Sequence, residues 1–565
     1  MSDHDHSEAS ANHGPLSVTA GAKKIFQAIY RQKNDHHSDD STTPRLQVSD
    51  LISKMAFYYE KIRNSVHYSE EHLLRKDAIF RILKRQLVIE GTMRLVRAND
   101  SRTIAQHLLI ELIRAGYLPN NVLPETKVDD VAEIISKYTT LRSLALSDSA
   151  SQFNFFSGKK GNELDTKSEL TNWLVGLAAA EIEEHVDQDQ VARTIVLTMY
   201  KTLEKRIELP ESLPYDHDLP IQVYVSIYRN FLKFDDDMLS LILFRYFNGD
   251  WAKPTPASMK KIARQLPVLK GVIDDQLEHP LSGQLNRVVS RYTVYFKILE
   301  DVIREDPVAI YDSFSEDPKL FARKVKQACN KRYTRARSTL WRAAWRSIIY
   351  ILLTKSVFVV ALEVPATQFF GEAVNIMSLA VNVGFPALLL LFAVIFTRLP
   401  GEDNSQRIVT GIEEIVFAGK DAAPIRLRKP RGRHPVMNVI FTLIYAVTFF
   451  VSFGAIIWFL EVIHFSWVSV IIFLFFLAFV SFFIIRIRRT AKEWVVIDTR
   501  ESVLRFFLDF FSTPIVATGK WLSGKFARLN IFAFILDFII EAPFKIFVEI
   551  AEQWTKYVRE RKEEL

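Results

Sequence analysis

Two runs decide the fold: VMNVIFTLIYAVTFFVSFGAIIWFL at 436–460 and FSWVSVIIFLFFLAFVSFFII at 465–485, joined by EVIH at 461–464. Neither run contains an Asp, Glu, Lys or Arg. A hydrocarbon core of about 30 Å needs about 20 helical residues at about 1.5 Å each. Each run is therefore long enough to cross a bilayer, and so short a join between them implies an antiparallel helical hairpin. Upstream, Val374–Leu399 is a third such stretch. Ala343–Leu362 is a weaker fourth, interrupted by Lys355 and with Arg346 near its start.

Charge settles the weak span. Glu363–Ala373 holds Glu363 and Glu372 and no base, and Glu461–His464 holds one Glu. The middle connection, Pro400–Pro435, carries Arg407, Lys420, Arg426, Arg428, Lys429, Arg431 and Arg433, and Arg486, Arg488, Arg489 and Lys492 follow the last span. Cationic residues accumulate on the cytoplasmic side, so the pattern predicts both termini and the middle connection in the cytoplasm. Three spans would put the two basic flanks on opposite sides; four make them agree. Trp341, Trp345, Trp458 and Trp467 lie near the expected boundaries, where an amphipathic indole prefers to sit.

The expected fold class is all-α: a helical cytoplasmic domain, two transmembrane helical hairpins making four spans, and an amphipathic helical C-terminal tail. Residues 1–45 are polar and read as disordered. Five of the 13 His residues fall there, at His4, His6, His13, His36 and His37, but a tail without preorganised geometry is a poor metal site and no metal is expected. Helical periodicity over 46–209 (Phe80, Leu83, Leu87; Ile104, Leu108, Leu112) marks a helical domain. Pro210, Pro214 and Pro220 break it, and 210–317 is a second helical segment.

From Pro318 no Gly or Pro occurs until Pro365, and Lys319–Ile348 contains no acid. A basic juxtamembrane helix over 318–345 therefore runs into the first of the spans within 343–485. Its bases, among them Arg335, Arg337, Arg342 and Arg346, together with Arg486, Arg488 and Arg489, are candidate contacts for anionic lipid headgroups. Either the helix bends or tilts along the membrane, or its distal bases face an acidic partner. The net charge of +7 and pI near 9.1 arise beside the spans, which argues against nucleic acid as the partner. The region 486–565 is rich in Phe and Trp yet charged, as expected of an amphipathic helix in the interface or packed on the spans.

The chemistry-bearing motifs are few. GKWLSGKF at 519–526 fits a phosphate loop except that Phe526 stands where the magnesium-binding hydroxyl belongs. Asp235–Asp237 and Asp274-Asp275 read as solvated helix starts, and Glu181, Glu183, Glu184 and His185 place only two ligands on one helix face. The single Cys329 excludes an intramolecular disulfide. No catalytic residues and no cofactor are expected. Within the membrane Lys355 is costly, and with Glu363 and Asn382 it forms a candidate polar site. That site is either an ion or substrate path or a structural tie between spans one and two, with Lys355 partly snorkelling outward.

The segments GEDNSQRIVTGIEEIVF (401–417), EEHLLRKDAIFRILKRQL (70–87) and LDFIIEAPFKIFVEIAEQW (536–554) resemble parts of uncharacterised multi-span membrane proteins of candidate-phylum bacteria. The resemblance implies a bacterial inner membrane and no particular activity. The leading functional expectation is a membrane-anchored scaffold or adaptor with a cytoplasmic protein partner. The alternative is a transporter or channel subunit, homo-oligomeric because four spans enclose little space.

Overall fold

Helices form wherever the sequence supplies an apolar stripe and a stop. The computed structural model describes residues 18–35, 44–48, 60, 70–90, 100–148, 163–187, 189–308, 310, 318–371, 375–397, 399–417, 423–429, 435–497, 503–528, 550, 554 and 557–558. In chain order these form α1 (Ala20–Asp35), α2 (Glu71–Lys84), α3 (Asp100–Arg114), α4 (Thr126–Asp148), α5 (Glu163–Val186), α6 (Gln190–Glu204), β1 (Ile207–Glu208), α7 (Leu219–Ile227), α8 (Asp236–Phe247), α9 (Pro256–Leu277) and α10 (Ser282–Glu305). There follow α11 (Pro318–Phe358), α12 (Val364–Phe369), α13 (Ile376–Ile395), α14 (Glu402–Val416), β2 (Ile425–Arg426), α15 (Pro435–Val462), α16 (Trp467–Lys492) and α17 (Val503–Arg528). The two strands are a two-residue parallel pair, Ile207 with Ile425 and Glu208 with Arg426. The fold is all-α.

The chain divides into two units. One comprises 24–293 with 423–429 and 531–565. Its core joins α2, α3, α4, α5, α8 and α9, with Leu83, Leu108, Leu112, Leu141, Leu177 and Phe244 among the fully buried side chains. Local chemistry fixes the helix ends. Asp189 accepts from the Val191 and Ala192 amides, Asp235 from Met238 N, and Thr255 from Ser258 N ahead of Pro256, as caps do. Gly116, at φ +76°, ends α3 in the left-handed conformation that lacks a Cβ penalty, while the Tyr117 amide bonds back to Leu112 O.

Ala20–Asp35 corrects the expectation of disorder through residue 45. Ala22, Ile25, Phe26 and Ile29 are buried at helical spacing; the polar average of the tail hid this stripe. His4, His6, His13, His36, His37 and Glu372 lie outside the described residues.

The other unit comprises 1–23, 294–422 and 430–530. Four of its helical stretches are long and apolar enough to cross a membrane: Lys319–Phe369, Ile376–Ile395, Pro435–Val462 and Trp467–Arg489. The first contains α11, 41 uninterrupted residues and thus about 60 Å long. It passes through a π-turn at Val359–Glu363 into α12. Pro365 accounts for the irregularity: it has no N–H for the carbonyl four residues back and its ring crowds that turn.

The stretch 402–416, read in sequence as part of a basic connection, is instead helix α14. It buries Ile408, Val409, Ile412, Ile415 and Val416 and packs on α11. At Gly411 an added Cβ would lie 2.5 Å from the Tyr295 ring, so any larger residue would have to displace that ring of α10. Helix α17 packs against α16 and α15, the second of the two placements that the tail composition allowed. Ser452 Oγ in α15 donates to Phe511 O at 2.9 Å.

Candidate functional site

Lys355 lies on α11 nine residues past Arg346, about 14 Å along the helix and so about halfway through a hydrocarbon core of about 30 Å. It is fully buried, as are Glu363 and Asn382. Lys355 Nζ donates to Asn382 Oδ1 at 2.9 Å, and Asn382 Nδ2 donates to Glu363 Oε1 at 2.6 Å. Ser469 Oγ, on α16, donates to the same Glu363 oxygen at 2.7 Å, and the Lys355 ammonium sits 4.0 Å from the centroid of the Phe476 ring. One neutral amide thus bridges a cation and an anion and draws spans one, two and four together.

The local sequence builds this cluster. Eight α-helical residues overshoot two turns by about 80°, which would swing Glu363 off the Lys355 face. The π-turn winds fewer degrees per residue and removes most of that excess. On α13, Pro386 cannot donate to the carbonyl of Asn382, four residues before it. Asn375 does not join the cluster; its side chain caps α13 by accepting from Met377 N.

Lys355 does not snorkel. With Asn382 and Phe476 inside reach, the ammonium turns inward and its stem is covered completely. Two oxygens in the same region, Glu363 Oε2 and Ser378 Oγ, are buried and find no hydrogen-bond partner among the described residues.

A second polar knot lies farther along α11. Asn404 of α14 donates through Nδ2 to Tyr333 Oη at 2.7 Å and to Trp494 O at 2.8 Å, and its Oδ1 accepts from Val496 N at 2.7 Å. Sequence reasoning missed it because 401–417 was not recognised as a helix. The signal available was the amphipathic spacing Ile408, Ile412, Ile415.

In the unit formed mainly by 24–293, the acidic groups singled out in the sequence are used by ion pairs. Glu181, 7% exposed, accepts from Lys137 Nζ at 2.5 Å, Tyr138 Oη at 2.7 Å and Trp251 Nε1 at 2.9 Å. Burial alone would raise its carboxyl, but the Arg245 and Lys137 charges, with the hydrogen bonds from Lys137 and Tyr138, hold it below the ordinary glutamate value. Glu183 accepts from Nε and Nη2 of Arg75 at 2.8 and 2.7 Å, Glu184 pairs with Arg245, and His185 Nε2 lies 3.0 Å from Asp130. Glu181, Glu184, His185, Arg245 and Lys137 line a cavity of about 380 Å³. Both signs of charge line it, and each of these five is already bonded to a neighbour.

Asp235 and Asp237 are more than a solvated helix start: both accept from the buried Lys76, at 2.5 and 2.9 Å. Asp274 lies inside α9 and pairs with Lys270. No group of three or more His, Cys, Asp or Glu side chains arranged to hold a metal occurs among the described residues. GKWLSGKF is not a loop; it lies within α17. An added Cβ at Gly519 would fall 1.9 Å from Ala478 O, so this glycine serves close helix packing.

The bases of α11 fall into two sets. Lys326 pairs with Glu402 at 2.7 Å, Lys331 with Glu305 at 3.2 Å and Arg332 with Asp301 at 2.5 Å. Acids of the same chain thus take up these distal bases. Arg335, Arg337, Arg342 and Arg346 are exposed, and on α16 so are Arg486 and Arg489, with Arg488 half-buried.

Four apolar helices and a buried charged cluster among three of them define the class: an all-α membrane protein. No family model, no curated protein and no solved structure matches the chain.

Proposed function

We propose that the chain is a membrane-anchored helical scaffold, whose region 46–317 positions a protein partner at the cytoplasmic face of a bacterial inner membrane. The observation that carries this reading is the closure of the Lys355–Asn382–Glu363–Ser469 cluster. Charged side chains within a membrane usually mark a path or a tie. Here Lys355, Asn382 and Glu363 are covered completely, their charges cancel, and the bonds run between helices. That is the arrangement of a tie. The cytoplasmic orientation draws on the basic connections and flanks.

A second reading, a subunit of a transporter or channel, is favoured by one observation. Glu363 Oε2 is buried and without a partner among the described residues, as an oxygen that receives a proton or a cation would be.

Flux in proteoliposomes separates the two. For a scaffold, proton and potassium flux with the full chain matches protein-free vesicles, and Lys355→Leu lowers thermal stability without changing it. Flux above that background which disappears in Lys355→Leu would overturn the scaffold reading and establish the second.

A further inference from the structure

Three of the exposed arginines of α11 form a stripe. At about 100° per residue, Arg335, Arg342 and Arg346 fall within about 20° of one line along the helix. Leu340, Ala344, Ile348 and Ile351, which pack against α13 and α16, lie on the opposite side. The stripe therefore points away from the bundle. Arg337 is off this line, and Trp345, 54% exposed, is next to Arg346.

The register between α11 and α16 fixes the level of the stripe. Glu363 meets Ser469 and Lys355 meets Phe476. Carried on, the same antiparallel register brings Arg346 and Arg342 level with about Arg486 and Arg489, just where the apolar run of span four ends. Arg342 and Arg346 are about 6 Å apart along the axis, within the depth of one headgroup layer, about 5–8 Å. Arg323 and Lys324, also exposed, stand about 33 Å from Arg346, several Debye lengths away at about 8–10 Å each. The bases between, Lys326, Lys331 and Arg332, are held by Glu402, Glu305 and Asp301.

Arg335 stands about 10 Å beyond Arg342 along the axis, outside that headgroup layer. We infer that Arg342 and Arg346, with Arg489 of α16 at the same level, are a binding surface for anionic phospholipid. Arginine is suited to it: the guanidinium fork meets a phosphodiester with two parallel hydrogen bonds and keeps its charge. Lipid rather than protein is the occupant because this surface lies at the ends of apolar spans and beside an exposed indole. The inference holds whether the protein is a scaffold or a transporter.

The test uses the full chain in vesicles of phosphatidylcholine containing about one-third phosphatidylglycerol. The phospholipid retained after gentle detergent extraction is counted by native mass spectrometry. Each arginine near the surface favours anionic lipid by about fivefold. The phosphatidylglycerol-to-phosphatidylcholine ratio of the lipid retained by the wild type is then expected to exceed that of the vesicle on the order of tenfold, falling severalfold in 1 M salt, where the Debye length is about 3 Å. Arg342→Gln/Arg346→Gln brings the ratio close to that of the vesicle. Arg323→Gln/Lys324→Gln removes the same charge from the same helix and leaves the enrichment unchanged. Equal loss in both double variants, retention of wild-type enrichment in the first, or no salt effect on the wild type would overturn the inference. The salt arm stands even if a variant does not fold.

Discussion

Lys355 and Glu363 are joined through a single amide: Asn382 accepts from the ammonium at 2.9 Å and donates to the carboxylate at 2.6 Å. Removing either charge leaves the other buried without compensation, at a cost of about 3–5 kcal/mol, whereas replacing both with apolar groups is often close to neutral. Lys355→Met and Glu363→Met should each destabilise the protein by about that amount in thermal or denaturant unfolding in detergent. Lys355→Met/Glu363→Met should lose less than either alone. Additive losses would mean that the two side chains are not energetically coupled.

Two glycines of the same motif should respond in opposite ways. A Cβ at Gly519 meets Ala478 O at 1.9 Å and Phe482 Cβ at 2.9 Å, whereas nothing lies within 4 Å of one at Gly524. Gly519→Ala should therefore force α17 away from α16 and destabilise by about 1–3 kcal/mol, as overpacking does. Gly524→Ala should be neutral or stabilise by up to about 1 kcal/mol, the helix-propensity difference between the two residues. Melting temperatures of the two variants check this directly.

These glycines also mark where sequence reading reached its limit. The four spans were legible because length and apolarity are properties of a single segment, and Lys355, Glu363 and Asn382 stood out because polar groups in such segments are rare. The bonds among them were not legible. They depend on a π-turn provoked by Pro365 and on Ser469 arriving from a helix more than 100 residues away. Ala20–Asp35 and Glu402–Val416 were lost for a different reason. Each has a narrow apolar stripe diluted by polar neighbours, so composition reads as tail or loop while the periodicity holds a helix.

Acid should weaken the helical domain through Glu181. Burial opposes ionisation, but Arg245 and Lys137, with the Lys137 and Tyr138 hydrogen bonds, hold the carboxyl below its ordinary value. A lowered folded-state value means that the stabilisation is complete above the unfolded value, about 4.5, and is lost as pH falls through the folded one. Glu183 runs the other way, since burial raises it despite Arg75. The comparison that isolates Glu181 is therefore wild type against Glu181→Gln. The variant should be less stable at pH 7, with the difference shrinking below about pH 4.5. A difference that stays constant down to pH 3 would show that the residue contributes through packing and not through its charge.

Asn404 should prove the most sensitive polar residue outside the spans. It is 3% exposed, and its amide serves the Tyr333 hydroxyl, the Trp494 carbonyl and the Val496 N–H together. Asn404→Ala strands a buried backbone donor and a buried backbone acceptor, each costing about 1–3 kcal/mol, so a loss of about 2–6 kcal/mol is expected. Tyr333→Phe removes one hydroxyl and should cost about 1 kcal/mol. Amide hydrogen exchange distinguishes this from general loosening: the Val496 N–H should lose protection in Asn404→Ala and keep it in Tyr333→Phe. Equal protection in both variants would mean that the segment after α16 is held by other contacts, with the Arg332 guanidinium over the Trp494 ring at 4.9 Å the first of them to test.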